Sequence, residues 1–508
     1  MKAMRPNALA GALLTATILV TACAKPPMLP AGPAAPPSPE RGAVSTQSHA
    51  ETSDPLGPRP EASQPKAYEP PVPVRFSGPN GLDVWLLERH AMPIVSMQLV
   101  VRSGSANDPA DQAGLAFITA QMLDEGAGTR DAVALSQELD RLGAHLRTGA
   151  DTDFSFVHVT ALKKNLAETA AIFSDVVTKP RFAERDWKRT FELWNNELRA
   201  RQSEPALVAD VVLLANLFPV GHPYAHPSDG TLGGAAKIGL PDARRFYAKH
   251  WRPSRASLVV VGDVSRNEVE LVADRAFGRW TSTETSEVVE PVEASAPPRP
   301  GRRVILVDRP EAPQSVIAVA RRSVAASNED GAILARVNVA LGGSFTSRLN
   351  QDLREEHGWT YGAKSSLSFS RLPGGFVAHA AVQTEHTAES LDAMLRDIGA
   401  VASAGLTDDE VQKTAQIMRA ELVESFETTG AAARRLGRAA GVGLPPDHDA
   451  TWARATARAS NADLTRMAAR YLDLTDSVIV VVGPKASVLP QLATIGIRNV
   501  VMAGPEGR

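Results

Sequence analysis

One stretch of this chain is written twice. Residues 245–262 read RFYAKHWRPSRASLVVVG and residues 466–483 read RMAARYLDLTDSVIVVVG, an offset of 221. Near the start of each copy, SMQLVVRSG (96–104) and SVIAVARRS (315–323) align at an offset of 219. Self-similarity at a fixed offset marks a repeated unit, so an internal duplication of about 220 residues is the simplest account. Two unrelated domains converging on Val-rich strands would not share the Arg–aromatic helix that precedes the strand in both copies. The full 508 residues are also too many for one core. The expected fold class is α+β: two similar domains, 73–283 and 303–490, each mixing β-sheet strands with packed helices. Between them ETSEVVEPVEASAPPRPGR (284–302) is acidic and Pro-rich and reads as a linker. Residues 491–508 remain as a C-terminal tail.

The N-terminal 72 residues are of another kind. Lys2 and Arg5 precede a short apolar run, ALAGALLTATILVTA (8–22), below membrane-spanning length. Residues 1–22 read as a signal peptide, and Val20-Thr21-Ala22-Cys23 resembles a bacterial lipobox in which Cys23 is lipidated. Ala24 after the cysteine favours the outer membrane, so the expected location is the cell envelope, with the body facing the periplasm. Residues 24–72 are rich in Pro, Ala, Ser and Glu and read as an extended tether behind the lipidated cysteine. Cys23 is the chain's one cysteine, which excludes a disulfide framework. A net charge of −3 and only 5% aromatic residues argue against nucleic acid as a partner.

The stretch GLAFITAQMLDEGAGT (114–129) is a helix with an apolar stripe and a Gly-rich stop. Phe117, Ala120 and Gln121 share one helical face, at i, i+3 and i+4. That face gains meaning from other segments: FPVGHPYAHPSDGTLGG (218–234), VVVGDVS, and LGGSFTSRLNQDLREEHGWTYG (341–362). Together, and in this order, they make residues 73–490 similar to the pitrilysin/insulinase-type zinc metallopeptidases, which include the mitochondrial processing peptidases. The resemblance implies that the two domains form half of a clam-like chamber. In that family the helix starts G-x-A-H-x-x-E-H-M-L, with two zinc-binding histidines one turn apart and a Glu general base before the second. Mapped here, the three positions are Phe117, Ala120 and Gln121. The family's third ligand falls on Glu197, 76 residues after Gln121, and a carboxylate common seven residues earlier is replaced by Thr190.

Zinc needs three or four protein ligands, and one carboxylate does not suffice. No base remains to take a proton from water. No metal is therefore expected at this helix, and no cofactor in this chain; zinc is expected only in a partner subunit. Glu197 is expected to be a solvated or Arg-paired surface carboxylate. His222 and His226 are spaced i, i+4, but Pro223 and Pro227 break helical geometry there, so they read as a packed loop.

The second half departs from the family less. Arg354 and Tyr361 match the family's Arg/Tyr pair, which the resemblance implies would contact the scissile carbonyl region at a zinc site across the chamber. Gly342, Gly343 and Ser344 would let a bound peptide approach the backbone, and Arg348 is a further candidate contact. Glu355 and Glu356 are neighbours in sequence and point in different directions, so they read as helix surface. The first reading is a non-catalytic subunit of a heterodimeric zinc peptidase, lipid-anchored, binding polypeptide by strand addition and lending Arg354 and Tyr361 to a zinc-bearing paralogous partner. One rival is a stand-alone envelope module that binds peptides or acts as a scaffold. The other is an active peptidase with a displaced metal site.

Overall fold

The computed structural model describes residues 67–281, 290–292 and 300–507. Cys23, its flanking segments and most of the linker lie outside the described residues. Two six-stranded sheets organise the rest. The first contains β1 (Val74–Ser77), β2 (Asp83–Glu88), β3 (Ile94–Val101), β6 (His145–Ala150), β7 (Ser155–Leu162) and β8 (Ala256–Gly262), in the order β1-β2-β8-β3-β7-β6. Two short strands, β4 (Gly126–Ala127) and β5 (Arg130–Asp131), form a separate ribbon. The second sheet contains β9 (Arg303–Asp308), β10 (Gln314–Arg322), β11 (Thr360–Leu367), β12 (Gly375–Gln383), β13 (Val478–Gly483) and β14 (Val500–Met502), in the order β11-β12-β10-β13-β9-β14.

Five strands of each sheet repeat the same pattern. β2 runs parallel to β8 as β9 does to β13, while β8–β3–β7–β6 and β13–β10–β12–β11 are antiparallel ladders. The duplicated VVVG segments are β8 and β13, at the centres of their sheets. The sixth strand breaks the symmetry. β1 is antiparallel to β2 and comes from the N-terminal side, whereas β14 is parallel to β9 and comes from the C-terminal end. This corrects the expected tail at 491–508: residue 490 falls inside the helix Lys485–Thr494, and β14 beyond it completes the second sheet.

β8 and β13 are buried along their whole length, so both faces of each sheet need covering. One face is covered by helices of the same half, such as Leu166–Thr178 and Arg266–Phe277 on the first sheet. The other face is covered by a helix from the opposite half. The helix Pro205–Leu217 places Val208, Ala209, Val212 and Leu213 against Val316, Ala318, Val478 and Val480 of the second sheet. The helix Thr429–Gly441 returns the favour, setting Ala432, Ala433, Leu436 and Ala440 against Trp85, Val100, Val259 and Val261. Each fully buried Val or Leu in these layers contributes about 1.5–3 kcal/mol of hydrophobic stabilisation. Among the described residues no helix is long and apolar enough to cross a membrane.

Candidate functional site

The helix Leu115–Gln121 is fixed at its start by Asp108, whose carboxylate accepts from the Gly114 N–H at 2.7 Å and the Ala116 N–H at 2.8 Å. Burial pushes this carboxyl up to about 8, against the pull of those N–H groups. Gly114 sits at φ 103°, and a Cβ there would lie 2.5 Å from the Trp194 ring. The helix is thus pressed against the long helix Glu184–Arg201. On its face, Ala120 is fully buried while Phe117 and Gln121 are half-buried.

Phe117 joins an aromatic run. Its ring lies 6.2 Å from Trp194, Trp194 meets Phe191 edge-on at 5.6 Å, and Phe191 stacks on Trp187 at 5.1 Å. Trp194 is anchored by its Nε1–H, which donates to the Asp229 carbonyl at 2.8 Å. The sequence reading missed these three aromatics, although WKRTFELW shows them at i, i+4 and i+7. Glu197 lies on the same helix, exposed and without a cation partner among the described residues. Thr190 is buried and donates to Glu125 Oε1 at 3.1 Å, and Arg189 pairs with the same carboxylate. Asp124, next to it, is pushed up to about 6 by burial and by the Glu125 charge. Phe and Ala offer no lone pair and an amide is a poor zinc ligand, so these residues do not fit the family's metal. Among the described residues no three His, Cys, Asp or Glu side chains are grouped to hold a metal ion.

The G-H-P-Y segment has a structural job. His222 is buried, stacks on Phe218 at 4.6 Å and accepts the Tyr224 N–H at 3.0 Å. His226 faces the Pro227 carbonyl at 3.0 Å instead. The Tyr224 hydroxyl donates to Asp153 Oδ1 at 2.6 Å and accepts the Leu372 N–H at 2.9 Å. Asp153 also accepts the Arg371 N–H at 2.7 Å. This buried joint ties the two halves, and its partners lie too far apart in sequence to be paired by pattern.

Arg354 lies on the helical segment Gln351–Glu356, with its guanidinium 4.5 Å from the centroid of the exposed Phe345 ring and its Nε 3.6 Å from Glu355. Tyr361 stands on β11, the edge strand of the second sheet, and is 91% exposed. It carries no hydrogen bond or ring contact among the described residues. Between Thr360 and Ala363 the register against β12 slips by one residue, so Tyr361 and Gly362 form a bulge. Bulges commonly re-aim a side chain at a sheet edge. Glu355 and Glu356 are exposed, as expected of helix surface.

Two candidate peptide contacts are corrected. Gly342 is buried, and a Cβ there would sit 2.4 Å from the Ser365 nitrogen. Its missing side chain lets this helical segment pack against β11. Arg348 gives its guanidinium to Glu410, at 2.7 and 2.6 Å, and to the Gly405 carbonyl at 2.9 Å. That bidentate fork is already filled. Gly343 remains exposed, and the Ser344 hydroxyl donates to the Val339 carbonyl at 3.1 Å, capping its own helix. Nearby, Asp397 is pushed up to about 6 by burial and by the Asp352 charge.

Comparison with known proteins fits this geometry. The family described as Insulinase (Peptidase family M16) matches residues 84–227, and the one described as Peptidase M16 inactive domain matches residues 237–418. The chain is 25% identical over 370 residues to an uncharacterized zinc protease of Mycobacterium leprae, spanning 72% of this chain and 81% of that protein. It is 23% identical over 285 residues to a non-peptidase homolog of Helicobacter pylori, spanning 56% of this chain and 65% of the relative. Its fold is that of a peptidase M16 inactive domain from Pseudomonas fluorescens, with TM-score 0.74 at 23% identity, covering 81% of this chain and 98% of that one. A protease from Helicobacter pylori superposes with TM-score 0.77 at 18% identity, covering 81% and 100%. The chain belongs to peptidase family M16, the insulinase and pitrilysin type.

Proposed function

We propose that this chain is the non-catalytic subunit of a two-chain zinc endopeptidase, binding polypeptide and presenting Arg354 and Tyr361 to the metal site of a paralogous partner. The observation that carries this reading is Tyr361. A phenol 91% exposed, unpartnered, on a bulged edge strand contributes little to the fold of its own half. Its fixed backbone and free hydroxyl suit a hydrogen bond to a carbonyl oxygen of a peptide held elsewhere. Arg354, flattened against Phe345, likewise keeps a cation at the surface without a tight carboxylate pair. Meanwhile the helix Leu115–Gln121 has no group able to activate water, so the chemistry requires a second chain. In this reading the chain forms half of the enclosing chamber and is held at the bacterial envelope by a lipid on Cys23.

The test uses the protein from residue 24 onward, without its lipid, and a mixed set of quenched fluorescent peptides with zinc. Cleavage is measured alone and with an M16 chain of the same genome that retains its zinc motif. Silence alone, and partnered cleavage that falls on Tyr361→Phe, is the expected result. Chelator-sensitive cleavage by this chain alone would instead establish a displaced active site. Silence in both arms would leave a stand-alone peptide-binding or scaffold module.

A further inference from the structure

We infer that Asn350 is a positioning residue that sets Arg354 and Tyr361 together through one buried carboxamide; this rests on the function proposed above for that pair. Asn350 is only 4% exposed and lies just ahead of the helical segment that carries Arg354. Its two polar atoms go to two different places. Nδ2 donates to the Phe345 carbonyl at 2.6 Å, and Oδ1 accepts the Ala363 N–H at 3.1 Å. The first bond fixes the residue whose ring lies against the Arg354 guanidinium. The second closes the C-terminal end of the bulge that exposes Tyr361.

Thr360 fastens the bulge as well. The Thr360 hydroxyl donates to the Ala381 carbonyl at 2.7 Å and accepts the Gly362 N–H at 3.1 Å. Thr360 therefore holds the entry of the bulge and Asn350 its exit. The Tyr361 side chain, lying between, has no hydrogen bond or ring contact among the described residues. Because both bonds belong to one planar amide, the backbone at Phe345, whose ring lies under Arg354, is coupled to the backbone at Ala363, which closes the bulge of Tyr361. A small displacement of either group at a reacting carbonyl costs far more in rate than in binding.

Asn350→Asp separates the two arms: a carboxylate still accepts from Ala363 but has no proton for the Phe345 carbonyl. Asn350→Ser shortens both arms and serves as the second variant. Each is measured with Tyr361→Phe and the Tyr361→Phe/Asn350→Asp double variant, in partnered cleavage with the zinc-motif chain of the same genome. Thermal unfolding of each chain alone is recorded beside it. The expected result is kcat lower by roughly ten- to a hundredfold with KM unchanged, a double variant little worse than either single one, and an unfolding midpoint close to wild type. Backbone amides of 360–363 should exchange faster in both Asn350 variants. Wild-type kcat in the Asn350 variants, with Tyr361→Phe slow, overturns this inference and leaves the proposed function standing. A loss of kcat only in proportion to a lowered unfolding midpoint also overturns it. Tyr361→Phe without effect overturns both.

Discussion

Acid should loosen the first half through one histidine, His158. It lies on β7, 6% exposed, beneath the helix Thr429–Gly441 that crosses over from the second half. Its Nε2 lies 3.3 Å from the Thr160 hydroxyl, which is linked to Ser96 at 2.8 Å, and Ser96 to Thr429 at 3.1 Å. Burial first, then the charges of Arg434 and Arg147, push the imidazole down to about 4. The unfolded chain binds this proton near 6.5, so the folded state binds fewer protons throughout the window between. His158's contribution is therefore intact above about pH 6.5 and is lost as pH falls toward about 4. At about 1.4 kcal/mol per pH unit the whole window is worth about 3 kcal/mol, and about 2.5 kcal/mol is gone by pH 4.5. Urea unfolding of wild type and His158→Gln at pH 7 and pH 4.5 measures this. The variant should lose about 2.5 kcal/mol less than wild type on acidification. His250, buried and pushed down to about 3, titrates alike in both chains and cancels in the comparison. Equal losses in the two chains would refute the assignment.

Two further outcomes follow from the site. Dialysed against zinc and then buffer, the chain should retain far less than one zinc per molecule, and a chelator should leave its unfolding midpoint unchanged; a chelator-sensitive midpoint would mean hidden ligands. Gly342→Ala should lower stability by about 1–3 kcal/mol with no peptide present, because the new methyl group meets the Ser365 backbone at 2.4 Å; unchanged stability with lost peptide binding would restore Gly342 to the peptide surface.

The duplication was readable because each copy's central strand is fully buried and therefore nearly all Val, a pattern that solvent-facing drift does not blur. The departure from the family's motif could be read because two ligand positions and the base position, set against Phe117, Gln121 and Ala120, all differ within one short window. Periodicity, however, says that a helix buries a face without saying against what. Nothing in PALVADVVLLANL tells that its apolar surface meets β10 and β13, some hundred or more residues onward. The same limit hid the Arg348–Glu410 pair, 62 residues apart, and the Asp153–Tyr224 joint. Gly342 was misread for a related reason: a glycine leaves room, and only the neighbouring Ser365 shows what uses it. The aromatics at 187, 191 and 194 were visible as a stripe. That their run ends against Phe117 depends on how two helices cross, which no single helix records.

The crossed helices have a consequence for how the molecule comes apart. Pro205–Leu217 and Thr429–Gly441 each follow a long helix in equivalent places in their copies, and each seals the other copy's sheet. This is the self-complementary contact of a two-fold dimer, written into one polypeptide. Neither copy can shed the other without uncovering a whole sheet face, so the chain should melt as one cooperative body, and a cut between the copies should yield a tight complex of two fragments. An ancestor with a single copy would have found its second sheet face only in a twin, and gene fusion would have made that companionship permanent.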